Sequence, residues 1–189
     1  MGESERMEEL VRMAIEGDAR SFAQLYESVY KELYKMALYT LGNSHDAENV
    51  VSDTALDAYA GISRLRDPKN FRAWIFRILS NKCNRVIREY VRNRELVSEV
   101  PIEEYSEVTA SSGISGDSIK TVENRQVIEK AFSVLTSEEK MIVSMTVYGE
   151  MDSREIAESM KINRNTVRSK YSRALSKMRQ CLGGDVYDR

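Results

Sequence analysis

The residues best placed to do chemistry lie in the last third of the chain, where a purely cationic helix follows a short turn. Between Lys161 and Gln180 the sequence has seven lysines and arginines and no acidic residue, whereas the whole chain carries a formal charge of −2. A short supporting helix, a tight turn and a cationic second helix are typical of a helix-turn-helix, which presents its second helix to the DNA major groove. The pattern therefore indicates nucleic acid as the first partner to consider.

The apolar residues of these two helices predict which side chains remain free to bind. Ile156, Val167 and Tyr171 are among the residues that recur at helical spacing and can close a small core. The side chains that then face outward are Asn165, Thr166, Arg168, Ser169, Ser172 and Arg173. Arginine and asparagine hydrogen-bond base edges, and serine and threonine suit phosphates. A solvated helix face explains most charge runs, but the complete absence of acid here favours DNA.

A second basic block lies between Ile62 and Arg94, with ten basic and two acidic residues. On its predicted outer face, from 77 to 92, arginines are interleaved with Asn81 and Asn84. A solvated face would alternate glutamate with arginine, because each such pair stabilises a helix by about 0.2–0.5 kcal/mol. Only Glu89 is present there. Phosphate contacts with asparagines probing bases explain this face, and ordinary solvation remains an equal alternative.

The helix predicted between 46 and 59 has the opposite character, since it carries Asp46, Glu48, Asp53 and Asp57 and no basic residue. DNA would repel this surface. The charge therefore suggests a protein partner with a basic or mixed surface, although acid that only favours solubility is equally consistent with it.

Other classes of function find little support in the sequence. There is no glycine-rich phosphate loop, and His45, Cys83 and Cys181 lack metal-type spacing, so we expect no catalytic residue, metal site or cofactor. No stretch of twenty residues is free of charge, which argues against a membrane span. The acidic N-terminus lacks the apolar run of a signal peptide, which points to the cytoplasm.

Helical periodicity along the chain predicts an all-α protein of two small helical domains. Residues 1–95 are expected to form an N-terminal bundle, 96–116 a flexible acidic linker, and 117–189 the domain with the helix-turn-helix. The predicted start signals are the caps Asp18, Ser44, Asp67, Asp117 and Asn163 and the capping boxes Thr136–Glu139 and Asp152–Glu155.

Two sequence blocks resemble a bacterial RNA polymerase sigma factor of the compact extracytoplasmic-function type. The first block is GDARSFAQLYESVYKELYKMALYTLGNSHDAENVVSDTALDAY, continued by FRAWIFRILSNKCNRVIRE. It is similar to the family's second conserved region, which binds the polymerase clamp helices and the −10 promoter element. The second block, LTSEEKMIVSMTVYGEMDSREIAESMKINRNTVRSKYSRALSKMR, is similar to the fourth region, which binds the −35 element and the polymerase flap. The likeness covers nearly everything except the linker and the ends.

The resemblance implies a role for each surface. On the acidic helix, the expected contacts with core polymerase are Glu48, Val51, Asp53 and Thr54. Asn81 falls where the family binds a flipped-out base of the −10 element, and the expected strand contacts around it are Lys69, Asn70, Lys82, Asn84, Arg85 and Arg88. The six outward side chains of the last helix match the −35 contacts. The family also implies an anti-sigma protein as a further partner.

Some residues depart from the family's pattern. Ser52-Asp53 replaces the usual Gln-Asp or Gln-Glu of the clamp motif, and Trp74-Ile75 replaces the two adjacent tryptophans of primary sigma factors.

Two functions other than that of a sigma factor remain open from the sequence. One is a helix-turn-helix regulator that acts on duplex DNA without being a polymerase subunit, and the other is a helical adaptor whose basic faces bind protein or RNA.

Overall fold

The computed structural model of the chain describes residues 2–96 and 119–186, and all regular structure in these two ranges is helical. The N-terminal half contains α1 (Glu3–Ile15), α2 (Ala19–Leu41), α3 (Ser44–Gly61) and α4 (Phe71–Leu96), with two 3-10 turns at Ile62–Arg64 and Pro68–Asn70. The C-terminal half contains α5 (Ile119–Ser133), α6 (Ser137–Val147), α7 (Ser153–Met160) and α8 (Arg164–Val186). The predicted all-α class is confirmed. The predicted linker lies outside the described residues apart from Leu96, as does the predicted cap Asp117.

Side-chain caps begin most of these helices where the sequence predicts them. The Asp18 carboxylate accepts hydrogen bonds from the backbone N–H groups of Arg20 and Ser21 at 3.2 Å each. Thr136 and Glu139 form the expected capping box at the start of α6, and Asp152 and Glu155 form another at the start of α7. These caps satisfy N–H groups that a helix leaves without an internal partner in its first turn.

One predicted cap is wrong. Asn43, not Ser44, caps α3, because its Oδ1 accepts from the backbone N–H of Asp46 at 3.0 Å and Ser44 is already helical. The predicted cap Asp67 is confirmed, since its carboxylate accepts from the Lys69 N–H at 3.0 Å, and the 3-10 turn that it caps leads into α4. The last helix, α8, continues through Gly183 and Gly184 to Val186.

Helix α2 is the centre of the packing, since α1, α3, α4 and α6 all lie against it. Its buried stripe includes Leu25, Leu33 and Met36, which pack with Ile75 and Leu79 of α4. The Trp74 side chain is half-buried and packs against the edge of this core. It lies on the side of α4 next to Gly61, where a Cβ atom at Gly61 would sit 3.4 Å from the indole.

The two halves share one hydrophobic core. Buried residues of the C-terminal half, including Met141, Met145 and Ile156, belong to the same cluster as Phe76 and the core of the N-terminal bundle. A smaller cluster around Phe132 and Val143 receives the ring of Tyr39 from α2. Helices α6 and α7 therefore lie against α2 and α4. In the described ranges no helix is long and apolar enough to cross a bilayer.

Candidate nucleic-acid interface

The turn between α7 and α8 is built by backbone geometry and one side-chain cap. Lys161 ends α7 in the left-handed region at φ 56°, and the Ile162 N–H donates to the Ala157 carbonyl at 3.0 Å. Asn163 then caps α8 by accepting from the Asn165 N–H at 2.8 Å. The three-residue turn holds α7 across α8 as a helix-turn-helix requires.

The buried side of α8 leaves the predicted binding residues facing outward. Val167 and Ala174 are buried, so the opposite side of the helix faces solvent. We call the set Asn165, Thr166, Arg168, Ser169, Ser172 and Arg173 the α8 outer face. All six are exposed except Thr166, which is half-buried. Within residues 2–96 and 119–186 the Arg168 guanidinium makes no hydrogen bond or ion pair, and Arg173 donates only to the Ser169 carbonyl at 3.3 Å.

Two of the seven cations in this segment face inward. The Lys170 ammonium pairs with Glu138, and Lys177 donates to both oxygens of Glu139 at 2.8 and 2.9 Å. Both lysines fasten α8 to the first turn of α6. The charge that α8 can offer to a ligand is therefore smaller than the sequence count suggests.

The hydrogen bonds that join α6 to α8 lower the pKa of Glu139. Burial alone would raise the pKa of its carboxyl group, but the hydrogen bonds from Lys177 and from the backbone and side chain of Thr136 outweigh burial. The net result is a pKa below the usual value, so the carboxylate stays charged and keeps α6 and α8 together at neutral pH.

The second predicted interface centres on an open depression between α3 and α4, which we call the α3–α4 hollow. Its volume is about 520 Å³. Its lining residues are Asp57, Gly61, Arg64, Trp74, Ile78, Asn81, Lys82 and Arg85. Asn81 is exposed at this hollow, and Lys82 is held beside it by an ion pair with Asp57 at 2.7 Å. The structure thus brings together an amide, an indole and three cationic side chains at one concave site.

Arg85 lies between the hollow and a second depression further along α4. It pairs with Glu89 at 3.1 Å, and Arg85, Arg88, Glu89 and Arg92 line this smaller depression of about 240 Å³. Asn84 is half-buried. Upstream of α4, Lys69 and Asn70 are exposed, and the Asn70 amide donates to the Asp67 carboxylate at 3.3 Å.

Comparison with known proteins places both halves of the chain in one family. Residues 25–93 match the family described as Sigma-70 region 2, and residues 125–178 match Sigma-70, region 4. Together these two matches cover most of the chain, and they include the α3–α4 hollow and the helix-turn-helix. The chain is a sigma factor of the sigma-70 family, of the extracytoplasmic-function (ECF) type. Sigma factors direct transcription initiation, so transcription is the process in which this chain acts.

Relatives of full length support the assignment. The chain is 23% identical over 176 residues to the ECF RNA polymerase sigma factor SigW of Bacillus subtilis (strain 168), covering 91% of this chain and 94% of that protein. It is 25% identical over 183 residues to the ECF RNA polymerase sigma factor SigM of Mycobacterium tuberculosis (strain H37Rv), covering 96% of this chain and 88% of that protein.

Solved structures show the same fold. The sigma factor RpoE in complex with the anti-sigma factor NepR from Bartonella quintana aligns with a TM-score of 0.69 at 22% identity, over 90% of this chain and 100% of that one. CnrH in complex with the cytosolic domain of CnrY aligns with a TM-score of 0.64 at 21% identity, over 95% of this chain and 99% of that one.

The acidic helix α3 of the sigma factor requires a correction. Val51 and Thr54 were expected to contact polymerase, but both side chains are buried. The Thr54 hydroxyl donates to the Val50 carbonyl at 2.6 Å, so it is satisfied inside the bundle. Burial removes both from any surface that a partner can touch. Helical spacing already carried this signal, because Val50 and Val51 belong to the apolar stripe of α3.

The outer side of α3 offers a different set of residues. Glu48 and Asp53, two of the expected polymerase contacts, are exposed, and they make no ion pair within the described ranges. Asp46 instead accepts from the Tyr90 hydroxyl, and Asp57 is paired with Lys82. Burial, followed by the nearby Asp46, raises the pKa of Tyr90, so this hydroxyl stays protonated as a donor. Sequence analysis missed Leu56, which is 69% exposed beside Ser52 and Asp53.

Proposed function

We propose that this sigma factor divides its contacts among three surfaces. The outer side of α3 binds core RNA polymerase, the α3–α4 hollow binds the melted −10 strand, and the α8 outer face binds the −35 duplex. The observation that carries the proposal is the placement of unpaired charge. Among the residues that the structure describes, the Glu48 and Asp53 carboxylates on α3 and the Arg168 guanidinium on α8 make no ion pair. The chain itself supplies no catalytic group in this scheme.

The α8 outer face suits duplex DNA because its side chains are short or planar. Arg168 and Asn165 have the donors that guanine and adenine edges accept in the major groove, while Ser169 and Ser172 reach phosphates. The positive end of the α8 dipole also lies at Asn165, and it attracts the phosphate backbone. The C-terminal half, which matches Sigma-70, region 4, is proposed to contact the polymerase flap as well.

The α3–α4 hollow suits an extruded base. Flipping a base costs a few kcal/mol of lost stacking, so a receiving site must offer an aromatic surface, polar groups and nearby cations. Trp74 supplies the aromatic surface, Asn81 the amide, and Lys82 and Arg85 the cations. The exposed side chains Lys69, Asn70 and Arg88 extend the path for the strand, and half-buried Asn84 lies beside it.

Polymerase and regulatory partners complete the proposal. Glu48 and Asp53 would pair with cationic residues of the clamp, and Leu56 would add an apolar contact at the centre of that surface. One solved structure of the same fold is the sigma factor RpoE bound to the anti-sigma factor NepR, and another is CnrH bound to the cytosolic domain of CnrY. An anti-sigma protein is therefore a proposed partner here, and the cytoplasm is the proposed site of action.

The decisive experiment adds the purified chain to core RNA polymerase and scores run-off transcripts from a library of genomic fragments. Transcripts that start at defined sites only when both proteins are present support the proposal. Asp53→Arg should abolish polymerase binding while leaving the fold intact. Glu27→Arg, another exposed acid reversal on α2, is the matched control and should retain binding. Tight sequence-specific duplex binding by the chain alone, without polymerase association, would instead establish a helix-turn-helix regulator.

A further inference from the structure

Two helices of this sigma factor carry opposite charges that the molecule itself leaves unpaired. Glu48 and Asp53 are exposed on the outer side of α3, and Arg168 and Arg173 are exposed on the α8 outer face. None of these four side chains makes an ion pair within residues 2–96 and 119–186. Complementary surface charges steer proteins together and fix how they meet. Each surface therefore suits a partner that carries the charge of the other.

The packing of the chain keeps these two surfaces on separate elements. Helix α3 packs mainly on α2 and α4, whereas α8 packs on α5, α6 and α7. The side chains that face those neighbours are buried, as Val50 of α3 and Val167 of α8 are, and the charged side chains lie on the remaining, exposed sides. A contact between the two surfaces therefore joins two copies of the chain.

The charges have the same spacing on both helices. Glu48 and Asp53 are five positions apart, and so are Arg168 and Arg173. Five positions correspond to about 7.5 Å along a helix axis and about 140° around it. Because the two separations are equal, both acid–arginine pairs can form in one contact between the helices.

The residues between the charges also complement one another in size. At about 100° per residue, Leu56 lies between the two acids around α3, and Ser169 and Ser172 lie between the two arginines around α8. Leu56 is 69% exposed, so its burial is favourable. Both serines are exposed and small, and they leave room for a protruding side chain of a facing helix. Leu56 can thus leave water at the centre of the contact while the charges pair at its rim, as in other protein interfaces.

The total charge of the protein does not oppose association. The formal charge of the whole chain is −2, so two copies repel each other only weakly. The attraction between the opposite surfaces is local, and it acts over a screening length of about 10 Å at about 0.1 M salt. Self-association is therefore expected at low salt and is lost as salt is added.

We propose that the outer side of α3 of one copy binds the α8 outer face of a second copy, so that the free sigma factor self-associates head to tail. Two different surfaces meet in such a contact, and the pair keeps one unused surface of each kind, so further copies can add unless the arrangement closes into a ring. The same two surfaces are those proposed to bind core polymerase and the −35 duplex. Self-association therefore competes with both, a consequence that rests on the proposed function.

Sedimentation velocity of the purified full-length chain tests the proposal. At about 0.1 M salt the average mass should rise with protein concentration, and at about 1 M salt, where the screening length is only about 3 Å, the chain should be a monomer. Asp53→Arg and Arg168→Glu should each lower the association constant at least about tenfold, because each sets like charges opposite one another. Glu27→Arg and Arg20→Glu change the net charge equally at exposed positions of α2 and should associate like the unmodified chain.

Mixing the two surface variants tests whether the two surfaces bind each other. An equimolar mixture of Asp53→Arg and Arg168→Glu should associate again, because each variant keeps the surface that the other has lost. Circular dichroism of each variant alone checks that both are folded. A mixture of folded variants that remains monomeric would show that the outer side of α3 and the α8 outer face do not bind each other.

The remaining results also decide the proposal. A chain that stays monomeric at every concentration at low salt overturns it, and association that persists at full strength in both variants overturns its assignment to α3 and α8. Neither polymerase nor promoter is present in these measurements. A monomeric chain that supports transcription would therefore remove the self-association alone, and a self-associating chain that fails to transcribe would remove the proposed function alone.

Discussion

The two cationic helices, α4 and α8, carry similar charge in the sequence but offer it differently in the structure. On α4, the described carboxylates Glu150, Glu158, Asp57 and Glu89 pair with Arg72, Arg77, Lys82 and Arg85, respectively. On α8, the ion pairs found among the described residues are those of the two inward lysines, and no described carboxylate pairs with the α8 outer face. Binding of a phosphate by the α8 outer face would therefore break no such ion pair, whereas binding by α4 would require it to give up intramolecular pairs.

This difference has an energetic consequence. A partly exposed ion pair contributes about 0.2–1 kcal/mol, so each pair on α4 subtracts about that much from the gain of binding a phosphate. We expect weak DNA binding by α4 until polymerase presents the strand to it. The following predictions test the contrast between the two helices, beginning with the largest expected effect.

Replacing Arg168 with alanine should have the largest effect on DNA. If the guanidinium contacts a base, the loss should be about 1–3 kcal/mol in promoter discrimination, which is about 5-fold to 150-fold. The measurement is competition between preferred and mutated −35 sequences. Arg179→Ala removes an exposed charge of the same helix outside the α8 outer face and should weaken all sequences alike. Equal behaviour of the two variants would remove Arg168 from base recognition.

Glu139→Gln should destabilise the C-terminal half. The change removes the charge that binds Lys177 and weakens the acceptor for the Thr136 N–H, at a cost of about 1–3 kcal/mol for a buried charged hydrogen bond. Urea unfolding measures this loss. Glu138→Gln breaks the more exposed pair with Lys170 and is the control, with an expected cost below about 1 kcal/mol. A similar cost for both variants would mean that burial of Glu139 does not matter.

Lowering the pH should destabilise the fold by protonating the Glu139 carboxylate. Because the folded protein lowers the pKa of Glu139 from its usual 4.5, the unfolded chain binds its proton first as pH falls. Its stabilising contribution is therefore complete well above pH 4.5 and is lost progressively below that value. Unfolding midpoints measured between pH 7 and 3 should fall more steeply for the unmodified chain than for Glu139→Gln.

Asp57→Asn should have the smallest effect of these substitutions, and it should increase DNA binding instead of weakening it. Loss of the ion pair frees Lys82 beside Asn81 and should tighten binding of single-stranded −10 DNA about twofold to fivefold. The salt dependence of binding should steepen by about one phosphate contact. Glu89→Gln, which frees the more exposed Arg85, should produce a smaller gain. Weaker binding by Asp57→Asn would show that the pair positions Lys82 instead of neutralising it.

Structural features that depend on residues within one or two helical turns could be predicted from the sequence. The caps Asp18 and Asn163 and both capping boxes appear in the structure where predicted, since a cap needs only residues two or three positions away. The helix-turn-helix and its outer face follow from the same short spacing. The cap of α3 was placed one residue late because Asn43 and Ser44 are adjacent and both can cap.

The exposure of single side chains was harder to predict. Val51 and Thr54 were assigned to a partner by resemblance, although the core of the bundle buries both. Trp74 both packs against the core and lines the α3–α4 hollow, a placement that helical spacing alone does not give. Helical spacing orders the faces of a helix by polarity, but the neighbouring helices decide how far each face is covered.

The sequence by itself determined the helices, their caps, the sites of concentrated charge and the family, because these depend on residue types at short range. Only the tertiary structure decided which charges are free and that the two halves lie together. Arg72 and Arg77 meet Glu150 and Glu158 across more than seventy positions of sequence. Such pairs depend on how whole helices pack, and no local pattern encodes that choice.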